Sequence, residues 1–173
     1  KIANARLAEE DDYYLRFDGQ NGRDGAGSWS ECAKPSIPRR LFNMPLAIQR
    51  TGLANAGTSS EIATFTVGRF PYQDRLVGDE KTNPYPSFCT AKGVQTSTQL
   101  LDAARINKVI FFRNRLAILS GENVILSRPG TFGVPDFFIE SALTVGAADP
   151  IDISASSMFP SEIFDALEIN SGL

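Results

Sequence analysis

The chain has 173 residues, 42% of them hydrophobic, and 17 Lys and Arg against 20 Asp and Glu give a net charge of −3. That composition supports a core, gives no cation excess for gripping nucleic acid through its phosphates, and includes no run of 18 apolar residues for a membrane-crossing helix. Histidine is absent, which removes Ser-His-Asp and Cys-His catalysis and the usual zinc sites.

The opening KIANARLAEEDDYY carries neither Met nor the apolar stretch of a signal peptide. It reads as the end of a strand, so an internal piece of a longer protein is expected. Next, DYYLRFDG alternates polar and apolar side chains with the period of a half-buried strand. The glycine-rich DGQNGRDGAGS then turns the chain, and SWSECA completes a hairpin with Trp29 and Glu31 on one face.

Three prolines within 35–45 make KPSIPRRLFNMP an extended crossing segment. A second hairpin follows: LAIQR as one strand, TGLANAGTSS as its tip, EIATFTVG as the return. Residues 69–88, rich in proline and charge, read as a long irregular loop of the functional or interface kind. TSTQLLDAARIN, residues 96–107, predicts a short helix capped by Ser97 or Thr98.

KVIFFRN, RLAILSG and NVILSRPG are three apolar segments separated by tight turns, the spacing of a β-meander. Phe111, Leu116, Ile118, Val124 and Leu126 are its core candidates. ESALTVG reads as another strand, ADPIDISAS as a short extended piece after Pro150, and FPSEIFDALEI as a short helix started by Pro160 with Glu162 in its first turn. The fold class is therefore mainly β, in antiparallel meanders with one or two short helices and long proline-rich loops. It divides into a hairpin region at 1–68, a loop plus short helix at 69–106 and a meander region at 107–173.

Each constellation with chemical potential has a plainer reading. Asp74, Asp79 and Glu80 lack the spacing of a calcium-binding loop, and solvated turns explain them. Asp136 and Glu140 are the nearest approach to a glycosidase carboxylate pair. The glycine-rich stretch has no Lys-Ser/Thr and is no phosphate cradle. Arg39, Arg40, Arg113, Arg115 and Arg128 read as rim or strand-end arginines rather than a grip on DNA phosphates, with Glu122 and Asn123 as local partners. Cys32 and Cys89 read as free thiols. No catalytic, metal or cofactor residues emerge.

In order along the chain, DYYLRFDGQNG, DRLVGDEKTNPYPSF, FFRNRLAILSGENVILSRPG and DPIDISAS resemble the tail nozzle proteins of short-tailed bacteriophages, also called tail tubular protein B. The stretch TAKGVQTSTQLLDAARIN departs from that pattern as an insertion. The residues that carry the resemblance or belong to its core candidates are Phe111, Arg113, Arg115, Leu116, Gly121, Glu122, Asn123, Val124, Ser127, Asp149, Pro150 and Asp152. The resemblance implies a virion tail protein made in the host cytoplasm, with propeller-like parts. It implies a homo-oligomer, a hexameric ring of the distal tail tube through which DNA leaves, partnered by the adaptor (tail tubular protein A) and tail fibre proteins. No cofactor and no enzymatic activity are implied. A carbohydrate-binding or carbohydrate-degrading tail domain is the alternative; it needs a carboxylate groove flanked by exposed aromatics such as Trp29, Tyr72 and Tyr85.

Overall fold

A computed structural model describes residues 12–22, 24–40, 45–89, 105–130, 133–155 and 161–168. Eight strands form three antiparallel sheets: β1 (Tyr14–Gly19) with β2 (Gly27–Cys32), β3 (Leu46–Ala54) with β4 (Ile62–Arg69), and a four-stranded sheet in the order β5 (Ile106–Phe112), β6 (Arg115–Ser120), β7 (Asn123–Leu126), β8 (Ile151–Ser154). The mainly β, antiparallel expectation holds.

Two tight turns set the register of the large sheet. Phe112 pairs with Arg115, so Arg113 and Asn114 form a two-residue turn, both at positive φ, the arrangement whose twist suits a hairpin. The Arg113 guanidinium lies over the Phe112 ring, 5.4 Å from the centroid. Between β6 and β7 the turn is Gly121-Glu122, with glycine at φ +58.

Register places Leu116, Ile118 and Ile125 on one face. Ile118 and Ile125 pack there with Phe88 and Phe137, while Tyr72, Cys89 and Leu116 close the edges. Phe88 meets Phe137 edge-on at 5.2 Å, the favoured geometry for two quadrupoles. Each fully buried Ile or Phe contributes about 1.5–3 kcal/mol.

Several sequence expectations are corrected. Residues 161–168 form no helix: Ile163 donates its amide to the Gly121 carbonyl, and Asn107 donates to the Ile163 carbonyl and to Glu162, so the segment is pinned along the sheet. The helix expected at 96–107 lies outside the described residues up to 104, and Ile106 and Asn107 belong to β5. ESALTVG is no strand; Glu31 takes its Ser141 hydroxyl and Ala142 amide instead. β3 runs on through Thr51–Ala54, accommodated by a bulge at Arg50/Gly52, so the second tip is shorter than expected. Phe111, expected in the core, is 66% exposed because β5 is an edge strand. Glu122 and Asn123 sit at the opposite end of β6 from the three arginines, some 17 Å away at strand rise, so the local pairing does not form.

Replacing Ile118 with Ala should cost about 3 kcal/mol in urea unfolding through the cavity it leaves. Val109→Ala, at a half-exposed edge position, should cost under about 1 kcal/mol.

Candidate functional site

The stretch DRLVGDEKTNPYPSF has almost no regular secondary structure, yet it contains the most buried charge among the described residues. Arg75 is 0% exposed. Arginine stays protonated at any ordinary pH, so its burial calls for acceptors; the backbone supplies two, and Nη2 is buried without one. Arg75 Nε donates to the Asn83 carbonyl at 2.7 Å and Nη1 to the Pro38 carbonyl at 2.9 Å, while its amide donates to the Arg39 carbonyl at 2.8 Å. The guanidinium lies between the rings of Tyr85 and Phe138, 4.4 and 4.9 Å from their centroids. Burial lowers the Arg75 pKa from its ordinary value, and Tyr85, Glu80 and Asp79 work against that shift.

Asn83 is the second buried hub. Its amide side chain donates to the Val77 carbonyl at 3.0 Å and accepts from the Ile139 amide at 3.0 Å, coupling the stretch to the chain after Pro135. Asp79 is the third: it accepts from the Lys81 and Thr82 amides, the Thr82 hydroxyl and, at 2.9 Å, the phenol of Tyr14 on β1. Burial pushes the Asp79 carboxyl up, but these four donors outweigh it and hold it below the usual 3.8. Gly78 sits among them at φ +71, where a Cβ would meet Thr82 Oγ1 at 2.5 Å. It also bridges to Ala33 after β2, with Lys34 donating to its carbonyl.

The residues singled out from sequence fall into three places. Arg115 reaches from β6 to the Ser127, Asp149 and Ala147 carbonyls, so Arg115, Ser127 and Asp149 come together. The Ser127 hydroxyl accepts from the Leu116 amide and donates to the Arg128 carbonyl. Asp149 caps Gly146, and Pro150 leads into β8. On β8, Asp152 takes both the amide and the hydroxyl of Ser87, at 2.7 and 2.9 Å, and so ties the edge strand to the 3-10 turn Ser87–Cys89. Gly121, Glu122, Asn123 and Val124 lie at the far end of the meander, where the Glu122 carbonyl accepts from Ala155. Phe111 and Leu116 line a recess of about 200 Å³ with Ala47, Phe70, Tyr72 and Pro135. Sequence reading missed Arg75, Asp79, Asn83 and Tyr85 as organising residues; the signal was their presence inside a motif that breaks every periodicity.

The polar side chains at these places are engaged with one another or with the backbone. Asp136 and Glu140 do not face each other across a groove: Arg128 Nη1 binds both, at 3.4 and 2.7 Å. Tyr85 donates its hydroxyl to the Pro38 and Arg40 carbonyls. No cluster of metal-ligating side chains occurs among the described residues. Neither Cys32 nor Cys89 is in a disulfide, and burial pushes the Cys89 thiol up to about 12, with Asp152 adding to the shift.

Arg75→Lys should lose about 3 kcal/mol, since one ammonium cannot reach both carbonyls and fill the slot between two rings; thermal unfolding reads this. Because the folded Asp79 pKa is depressed, its contribution is present above pH 3.8 and lost as pH falls through the lower folded value; Asp79→Asn should flatten the stability profile below pH 4. Cys89 should resist iodoacetamide at pH 8, as mass spectrometry of the labelled protein will show.

With this geometry in view, comparison with known proteins is direct. A family model described as bacteriophage nozzle protein matches residues 1–173. The tail tubular protein gp12 of Escherichia phage T7 is 30% identical over 159 residues, covering 91% of this chain. The chain spans 16% of that relative's length. Matched along its whole extent, the chain belongs to the bacteriophage nozzle protein family.

Proposed function

We propose that the segment is a non-catalytic, load-carrying part of the distal tail tube of a short-tailed phage, through which DNA leaves the particle for the host. The observation that carries the reading is the family match over all 173 residues. The geometry supports it. The polar groups most suggestive of chemistry, Asp79, Asp136, Glu140 and Asp152, are engaged in holding loops to strands. Residues 1–68, 69–106 and 107–173 act as one part of a larger protein: Tyr14, Asn83 and Asp152 bond across those boundaries. The β5–β8 sheet has the strand number of a single propeller blade.

In this reading copies form a closed ring, hexameric as the resemblance implies, beneath the adaptor and beside tail fibres. A conduit must let DNA slide. A chain of net charge −3, with Arg16, Arg40, Lys108 and Arg128 each beside a carboxylate, neutralises few phosphates. No helix among the described residues is long and apolar enough to cross a membrane.

Cryo-electron microscopy of the virion should place this segment in the distal tail tube, and the purified full-length protein should leave polysaccharide and peptidoglycan intact. Density in a peripheral spike, or measurable glycan turnover, would overturn the reading.

A further inference from the structure

Among the described residues no other sheet packs upon the β3–β4 hairpin. Register puts Leu46, Ile48, Arg50 and Leu53 on one face with Arg69, Val67, Phe65 and Ala63. The five large apolar side chains of that face are all exposed, from 41% at Leu53 to 72% at Ile48. The opposite face is more polar, with Gln49, Thr64 and Thr66, Thr51 of the bulge hydrogen-bonded to Thr66, and a single large apolar residue, Ile62, near the tip. A lone two-stranded ribbon is marginal in water, and an uncovered apolar face on it marks an interface. The same face bears Arg50 and Arg69, neither in an ion pair among the described residues, within a chain that is otherwise net acidic.

A complementary strip exists on the same molecule. Along residues 161–168 burial repeats every third position: Ile163 and Ala166 are the half-buried ones. Next to each, Phe164 and Leu167 stand outward, 68% and 86% exposed, and Glu162, Asp165 and Glu168 form the remaining row, in which Asp165 already pairs with Lys108 at 2.8 Å and Glu162 accepts from Asn107, while Glu168 is exposed. The strip thus presents an apolar row beside an acidic row, where the hairpin presents apolar residues beside two arginines. Its eight residues span about 25 Å extended, close to the length of β3 from Leu46 to Leu53.

We propose that the apolar, cationic face of the β3–β4 hairpin docks on the 161–168 strip of a second copy of this chain. The contact is head to tail, the kind that closes into a ring when the rotation permits, and opposite charges set its register. This rests on the ring assembly proposed above.

The test uses the full-length protein in sedimentation velocity across a concentration series. Arg50→Glu with Arg69→Glu should raise the concentration for half-assembly by about tenfold or more. Adding Glu168→Lys to that chain should restore assembly, a rescue that misfolding cannot produce. Phe65→Ser and Leu167→Ser should each weaken assembly with the charges intact. Unchanged assembly of the Arg50/Arg69 variant, or its loss without rescue by Glu168→Lys, would overturn this interface while leaving the ring reading in place. A wild-type protein that stays monomeric would overturn both.

Discussion

A guanidinium that cannot lose its proton has been taken out of water, and the described structure is arranged around that fact. Arg75 has no carboxylate bound to it; it is held by two side-chain bonds to carbonyls and by two aromatic faces. Those acceptors belong to separate stretches of chain, Pro38 before β3 and Asn83 after the Gly78 turn, while Phe138 comes from beyond β7. Holding one buried cation therefore fixes three segments that share no ladder. Its Nη2 stays buried with no acceptor, which costs roughly 1–3 kcal/mol, so the two bonds that are made and the two ring faces carry the site.

The rest follows by short bonds. Asn83 carries the constraint to Ile139, Asp79 to Tyr14 on β1, Gly78 to Ala33 beyond β2, and Ser87 to Asp152 on β8. Phe88, placed by the same irregular stretch, then covers Ile118 and Ile125. A proline-rich segment with almost no regular secondary structure has become the cement between sheets, each too small to stand alone. The β3–β4 hairpin is the exception: it receives little of this support and leaves its apolar face outward.

Alternation and turn chemistry made β1, β2 and the β5–β7 meander legible, because those strands pair with sequence neighbours through two-residue or glycine-rich turns. The helix expected at 159–169 failed for a tertiary reason: Pro160 and Glu162 are sound start signals, but the Ile163 amide and carbonyl find partners on the sheet. Phe111 misled because meander spacing shows that β5 exists without showing that it is an edge. Arg75 was the least legible residue. Within proline and charge, an arginine reads as solvated, and only the approach of Tyr85 and Phe138 from elsewhere reveals otherwise. The family resemblance pointed to the right stretch, while periodicity alone described it as a loop.

Native-state hydrogen exchange on the full-length protein tests most directly whether this irregular motif organises the structure. If it does, the amides of Arg75, Asn83 and Ile139 exchange as slowly as those of β6, although none of the three lies in a strand. Exchange at those amides as fast as in the exposed tip at residues 55–61 would contradict it.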